Sequence, residues 1–242
     1  MSEARPGLSR VGLVLGLGVL TLAVGLGSSA KLSYHEAFVA QAAREMIASG
    51  DLLTPTVGGL PWLEKPPLAI WLVALNGKIA GGVSEAVARF PSVVAALALV
   101  LTVAAMASRR FGPSVGLLAG LIQATTAWTV TRGRLAEADI MLAALVAATL
   151  AAFDRLRGNA QGRSESDLEK WRWGFFAGLG MTSLTKGVGF GAVLVMAAVG
   201  LTIAWDRDRS ALKRLRFGQG WVLAAFLALS WPLLSLATPL GP

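Results

Sequence analysis

The sequence predicts an all-α protein that crosses a membrane several times, and three observations support this prediction. Of the 242 residues, 55% are hydrophobic and only 15% are charged, whereas soluble domains have about 25% charged residues. Apolar stretches long enough to cross a bilayer recur along the chain. The basic residues, which give a net charge of +8, gather in alternate connections between those stretches. The absence of cysteine excludes disulfides, thiolate metal sites and a cysteine nucleophile.

About seven stretches are predicted to be transmembrane helices, and the whole chain, residues 1–242, is predicted to form a single membrane domain. The predicted spans are residues 11–29, 91–107, 114–131, 139–153, 173–185, 188–205 and 219–236. The first span follows a short basic start, as in a signal peptide, but its length and the later spans favour an uncleaved helix. The spans 173–185 and 188–205 are separated only by Lys186-Gly187, which indicates a tight helical hairpin.

Residues 30–90 are predicted to form the first extracytoplasmic loop, with interfacial amphipathic helices. Residues 34–49 place their apolar side chains on one helical face, and Gly50 is suited to end that helix. The segment is too polar to span, so it is expected to lie at the membrane surface. A second short apolar stretch, residues 68–79, follows Pro66-Pro67 and carries Trp71, a residue typical of the headgroup region.

The distribution of charge predicts the orientation of the chain in the membrane. With a cytoplasmic N-terminus, the inner connections hold 14 of the 22 Lys and Arg residues but only half of the 14 acidic residues. This is the positive-inside pattern of a plasma (inner) membrane protein. A basic face held against anionic membrane lipids needs no nucleic-acid partner, so none is predicted.

The same topology gathers the remaining ionisable residues on the outer side, where they predict a polar cavity. These residues are His35, Glu36, Glu64, Lys65, Arg89, Arg132, Arg134, Glu137, Asp139 and Lys186. Lys and Arg suit an anionic ligand such as phosphate, while carboxylates suit a general base or a divalent cation. Because nucleoside triphosphates are lacking outside the cell, a lipid-linked phosphate is the expected ligand.

Five motifs in these regions carry a family resemblance. In chain order they are H-E-A-x(5)-A-R-E-M-x-x-S-G-D from His35, G-x-P-W-x-E-K-P-P from Gly59, A-R-F-P-S from Ala88, R-L-A-x-x-D from Arg134 and L-T-K-G from Leu184. Together they resemble the membrane-embedded GT-C glycosyltransferases, nearest to the protein O-mannosyltransferases and lipid A aminoarabinose transferases of glycosyltransferase family 39. Each motif alone is weak, whereas five in order are a strong signal.

The resemblance implies an enzyme that moves a sugar from a polyprenyl-phosphate carrier to a lipid or protein acceptor, with inversion, on the extracytoplasmic face. Members of this family are usually longer, so the chain is expected to supply the N-terminal catalytic part of such an enzyme. A transporter, a non-catalytic protein that binds an anionic lipid and an inactive relative remain the alternatives. No internal repeat of the transporter type is visible.

The resemblance also suggests roles for individual residues. The family has Asp-Glu where this chain has His35-Glu36, so Glu36 and His35 are candidates for the catalytic base, together with Asp139. Asp139 can equally be a helix cap, and His35 can simply hydrogen-bond the amphipathic helix.

The implied phosphate ligands are Lys65, Lys186, Arg134 and Arg89, and the implied ligands of an optional divalent metal are Glu64 and His35. For Arg89 an ion pair with Glu85 is an equal alternative. For Lys186 the alternative is a side chain that reaches from a span end towards the headgroups. Arg132 and Glu137 are expected to line the cavity.

Overall fold

The computed structural model describes residues 8–27, 31–157 and 164–237, and the described part of the chain is almost entirely helical. Its helices are α1 Leu8–Ala23, α2 Tyr34–Ser49, α3 Leu68–Ala80, α4 Glu85–Phe111, α5 Pro113–Thr125, α6 Ala127–Gly133, α7 Asp139–Arg157, α8 Glu165–Lys186, α9 Phe190–Asp206, α10 Arg209–Leu215 and α11 Gly218–Ala237. The strands β1 Thr56–Val57 and β2 Leu60–Pro61 form a small antiparallel hairpin.

The long helices pack as a bundle in which α4, α7 and α8 are central. Helix α4 contacts α1, α5 and α7, and α8 contacts α7, α9 and α11. One core, between α1, α4 and α7, includes Leu22, Val93 and Ile140. A second core, between α7, α8, α9 and α11, is built around Phe175 and Phe176. These two cores share α7, whose first turn carries Asp139 of the predicted site.

A layer of shorter elements covers one end of the bundle. Helices α2 and α3 pack against each other through a core that includes Val39, Met46, Ile70 and Val73. Ser33 and Glu36 form a capping box at the start of α2, because each side chain satisfies a backbone amide at the other position. Gly50 ends the helix in a left-handed conformation, φ 75°, as its position in the sequence predicted.

The hairpin and α10 were not predicted, although each has a sequence signal. Gly58 and Gly59 both have positive φ, 64° and 77°, which is the two-residue turn that joins antiparallel strands. Helix α10 is capped by Asp208, the residue before its first turn, whose carboxylate accepts a hydrogen bond of 3.0 Å from the amide of Ala211.

Several predicted spans have boundaries that differ from those of the helices. Residues 11–29 correspond to α1, which ends at Ala23, and residues 28 and 29 lie outside the described residues; residues 91–107 lie inside the longer α4. Residues 114–131 form two helices, because Thr126 is extended (ψ 124°) and ends α5 before α6 begins. The hydroxyls of Thr125 and Thr126 donate hydrogen bonds to backbone carbonyls one turn back. Such side-chain hydrogen bonds compete with continuation of the helix. The span 173–185 is part of the 22-residue α8, which starts at a Ser164 cap. The predicted hairpin of α8 and α9 is confirmed.

Several helices have the apolar composition of membrane segments. Among the described residues, Glu85–Phe111 and Gly218–Leu236 are long and apolar enough to cross a bilayer, and four shorter apolar helices accompany them. Many large apolar side chains on these helices face outwards, for example Leu201 and Leu236. A bilayer would cover that surface, and the number of crossings stays a prediction.

Candidate active site

The layer formed by α2, α3 and the hairpin is called the cover layer. A polar cavity of about 160 Å³ lies where this layer meets the start of α7 and the end of α8. Its lining residues are His35, Lys65, Arg132, Glu137, Ala138, Asp139 and Lys186. They come from α2, from the segment after the hairpin, from the end of α6, the α6–α7 connection and the start of α7, and from the last turn of α8. Six of the ten ionisable residues grouped by the predicted topology therefore lie in one place.

Cations and carboxylates alternate within this cavity. Arg132 donates to Glu137 at 2.8 Å and lies 3.8 Å from Asp139. Lys186 forms an ion pair with the other oxygen of Asp139. With Lys65, the cavity holds three cations against two carboxylates, so it has an excess of positive charge at neutral pH.

Lys65 is positioned by the segment that precedes it. Pro66 and Pro67 are buried and restrict the backbone immediately after it. The amide of Trp62 donates to the carbonyl of Pro55 at 2.7 Å, which closes the base of the hairpin. The structure shows no ion pair between Lys65 and any other described residue. Its ammonium group is therefore available to a ligand.

Glu45 of α2 holds the hairpin itself. Its carboxylate accepts hydrogen bonds from the hydroxyl of Thr56 at 2.6 Å and from the amides of Gly58 at 2.7 Å and Gly59 at 3.1 Å. The Thr56 and Gln41 hydrogen bonds are the main cause that lowers the pKa of Glu45 to about 2. An ionised Glu45 thus fixes the loop that leads to Lys65.

His35 reaches the cavity from the first turn of α2, while the adjacent Glu36 does not. The imidazole of His35 is exposed and packs edge-on against the ring of Tyr34, with 5.6 Å between ring centroids. Among the described residues it forms no side-chain hydrogen bond, so the prediction that it only stabilises the helix has no support.

The surroundings of Glu36 do not support the prediction that it is the catalytic base, because it does not line the cavity. Glu36 is 1% exposed, and its carboxylate accepts hydrogen bonds from Arg89 at 2.7 and 3.2 Å and from the amides of Ser33 at 2.9 Å and Ala136 at 3.0 Å. Burial raises the pKa of this carboxyl group, but these donors together lower it below the ordinary 4.5. In the structure Glu36 is therefore a buried carboxylate that is paired with Arg89.

The predicted phosphate-binding role of Arg89 and Arg134 is likewise not supported by the structure, because neither residue lines the cavity. Arg89 is 6% exposed, pairs with Glu36 and donates to the carbonyls of Leu26 and Lys31, so it joins the end of α1 to α2. Arg134 donates to the carbonyls of Thr21 and Val24 at 3.0 and 2.9 Å. Both arginines satisfy the backbone carbonyls at and beyond the end of α1.

The metal ligands predicted from the family are not brought together. Glu64 is exposed and does not line the cavity. No group of three or more His, Asp or Glu residues within the described ranges could hold a metal ion. Glu137 and Asp139 are already paired with cations, and the cavity has an excess of positive charge. The residues present therefore fit an anion and do not fit a divalent cation.

An apolar groove of about 510 Å³ lies beside the polar cavity, along α7. Asp139 and Lys186 line both spaces, so the two are adjacent at that ion pair. The groove is lined by α7 from Asp139 to Leu150, by Trp128 of α6 and by apolar side chains of α9. At 1.5 Å per residue this stretch of α7 is about 16 Å long. The sequence gave no prediction of this groove, because its walls come from helices that meet only in the folded structure.

Fold and site together define a class: a membrane-embedded helical protein with a cationic cavity next to an apolar groove. The family model described as dolichyl-phosphate-mannose-protein mannosyltransferase matches residues 64–235. The chain belongs to this family of glycosyltransferases, and the resemblance seen in its motifs is confirmed.

Two curated relatives match most of the chain. Both are undecaprenyl phosphate-alpha-4-amino-4-deoxy-L-arabinose arabinosyl transferases, one from Edwardsiella ictaluri at 31% identity and one from Sodalis glossinidius at 33%. Each alignment covers 198 residues, which is 80% of this chain and 34% of the relative. The chain thus spans about a third of the length of these relatives.

Solved structures of ArnT from Cupriavidus metallidurans have a similar fold. The structure bound to undecaprenyl phosphate superposes with a TM-score of 0.84 at 25% identity, covering 96% of this chain and 42% of that one. The apo structure gives a TM-score of 0.83. The prediction of an all-α polytopic membrane protein is confirmed by this likeness.

Proposed function

We propose that the chain forms the N-terminal part of a glycosyltransferase that takes a sugar from a polyprenyl-phosphate carrier. Undecaprenyl phosphate is the carrier named for the relatives. The acceptor is a lipid or a protein. The proposal includes an orientation in which the N-terminus is cytoplasmic and the polar cavity faces the outside of the inner membrane, as the basic connections indicate.

The observation that carries this proposal is that the cationic cavity and the apolar groove lie side by side and share Asp139 and Lys186. A polyprenyl phosphate has a charged head and a long hydrocarbon tail. Lys65, Arg132 and Lys186 suit the phosphate because they carry charge and N–H donors into a half-enclosed space. The groove along α7 suits the tail, and Asp139 with Lys186 marks where the two parts of the molecule would meet.

The reaction we propose is a direct displacement at the anomeric carbon. The acceptor oxygen forms a bond to that carbon while the bond from the carbon to the phosphate oxygen breaks, and the phosphate leaves with the electron pair. Lys65 and Lys186 stabilise the negative charge that develops on the leaving phosphate. A hydroxyl acceptor would give its proton to His35, because Asp139 is already paired with Lys186.

This proposal differs from the transporter and lipid-binding alternatives because it predicts a chemical reaction, the transfer of a sugar. The test uses native membranes from cells in which the chromosomal gene carries Lys65→Ala, with a radiolabelled sugar on polyprenyl phosphate. Transfer to extracted lipid or protein is expected to fall by about a hundredfold, since one charge-assisted contact to a transition state is worth about 3 kcal/mol. Protein abundance is measured in the same membranes.

Lys78→Ala is the matched control, because Lys78 is an exposed residue in the last turn of α3 and does not line the cavity. It is expected to leave transfer unchanged. Equal transfer by the wild type and Lys65→Ala would remove Lys65 from the site. If the wild type bound carrier but transferred sugar from no donor to any acceptor, the lipid-binding alternative would replace the glycosyltransferase.

A further inference from the structure

Two tryptophans from different helices hold adjacent backbone carbonyls in the segment that follows α2. The indole N–H of Trp71, on α3, donates to the carbonyl of Leu52 at 2.7 Å, and the indole N–H of Trp231, on α11, donates to the carbonyl of Leu53 at 2.9 Å. The two leucine side chains are 59% and 38% exposed, so side-chain packing holds this segment weakly. Trp231 is only 8% exposed, so its ring is packed inside the protein while its N–H reaches the segment.

The segment held by these indoles is the start of a closed loop that contains Lys65. The indole of Trp71 closes residues 52–71, which we call the Lys65 loop. Within this loop, the amide of Trp62 donates to the carbonyl of Pro55 at 2.7 Å, which ties the base of the hairpin. Lys65 follows Trp62 by three residues. A shift at the start of the loop is therefore transmitted to Lys65, because the loop is hydrogen-bonded at both of these points.

The two lysines of the polar cavity belong to different parts of the structure. The Lys65 loop is part of the cover layer, whereas Lys186 lies in the last turn of α8. Helices α8 and α11 run parallel in close contact, so that a Cβ at Gly180 would lie 2.8 Å from the Cβ of Leu227. Lys186 follows Gly180 by six residues and Trp231 follows Leu227 by four, so both lie at the same end of this helix pair. Trp231 therefore joins the helix pair that carries Lys186 to the loop that carries Lys65.

We propose that Trp231 is a positioning residue of the candidate active site. By holding the carbonyl of Leu53, it fixes Lys65 relative to Lys186, so that both ammonium groups reach the same phosphate. This inference rests on the proposed function, since it requires that the two lysines stabilise one leaving group. Geometry of this kind matters because a displacement of about 1 Å at a reacting centre can lower a rate about a hundredfold.

The first test measures the loop without relying on activity. Trp231→Phe keeps an aromatic ring and removes the N–H donor, so amide exchange of residues 52–62 should become about fivefold faster, the effect of one lost hydrogen bond. Trp71→Phe, which removes the neighbouring bond, should do the same. Trp221→Phe is the matched control, because its indole also donates from α11 to a backbone carbonyl, that of Leu215, at 3.0 Å. It lies ten residues before Trp231, about 15 Å along the helix, and should leave the loop unchanged. Exchange is measured by mass spectrometry on the complete gene product in mixed micelles.

The second test asks whether Trp231 acts through Lys65. In native membranes Trp231→Phe should lower sugar transfer about fivefold, while Trp221→Phe should not change it. Combined with Lys65→Ala, Trp231→Phe should cause no further loss, because the group that it positions is absent.

The same fivefold loss in the Lys65→Ala background would show that Trp231 acts elsewhere and would overturn the proposal. Unchanged exchange of residues 52–62 in both Trp231→Phe and Trp71→Phe would overturn it too, as would faster exchange with undiminished transfer. Absence of transfer by the wild type would refute the glycosyltransferase itself, a result that the exchange measurement keeps separate from a failure of Trp231 to hold the loop.

Discussion

Replacement of the buried Glu36 by Gln distinguishes a structural anion from a catalytic base. The carboxylate and Arg89 are 1% and 7% exposed, respectively. Each carboxylate oxygen accepts two hydrogen bonds, one from the guanidinium and one from a backbone amide. Gln keeps only one acceptor oxygen, and its NH₂ group would face two N–H donors whichever way it turned. Glu36→Gln therefore removes two hydrogen bonds and leaves a buried arginine without its counter-charge.

The expected loss of stability is about 3–5 kcal/mol, the range found when one partner of a buried ion pair is removed. The free energy of unfolding would be measured by denaturant titration in mixed micelles at pH 7. A double variant, Glu36→Leu with Arg89→Leu, should lose less than the sum of the single variants, because no uncompensated charge remains. The two amides that bonded Glu36 would still lack partners, so recovery is expected to be partial.

The same pair predicts a dependence on pH. The pKa of Glu36 in the folded protein is below the ordinary 4.5, so folding favours its ionised form. Its contribution to stability is therefore complete above pH 4.5 and is lost as the pH falls through the folded pKa. If Glu36→Gln lost sugar transfer while its unfolding free energy stayed at the wild-type value, Glu36 would be catalytic and the structural reasoning would be wrong.

Two further predictions concern the cover layer and the bundle. Glu45→Gln should loosen the hairpin that leads to Lys65, seen as at least tenfold faster amide exchange at Gly58 and Gly59. In the wild type, the same loosening should develop as the pH falls from 4.5 towards 2, because the ionised carboxylate of Glu45 holds the loop. Amide exchange that did not change in the variant or with pH would contradict this role of Glu45. Gly133→Leu should destabilise the bundle by more than about 2 kcal/mol, because a Cβ there would lie 2.7 Å from Leu22 and 2.8 Å from Ala96. The free energy of unfolding would be measured by denaturant titration. A variant as stable as the wild type would show that the helices can move apart to accept the side chain.

The sequence determined the class of the protein because hydropathy and charge are properties of segments. Apolar length predicted membrane helices, and Lys and Arg in alternate connections predicted an orientation. Local rules also held where the cause was local, as at Gly50, where a glycine ends α2 in a left-handed conformation. The break between α5 and α6 at Thr126 was missed, because a continuous apolar stretch does not show where the backbone hydrogen bonds of a helix are interrupted.

The composition of the polar cavity was predicted only in part. Lys65, Asp139 and Lys186 come from three distant motifs, and their family resemblance placed them together before any geometry was known. Arg89 and Arg134 looked alike in sequence because both are cations beside predicted helices. The structure directs both to backbone carbonyls at or beyond the end of α1, which only a three-dimensional arrangement can reveal.

His35 and Glu36 show most clearly what tertiary structure decided. Adjacent residues on an α-helix point about 100° apart, so one of the pair can line a cavity while the other faces the protein interior. The sequence alone gave both a chemical role, because it shows composition and spacing but not which direction is inward. The packing of α2 against Arg89 and Ala136 turned Glu36 inward and left His35 at the cavity.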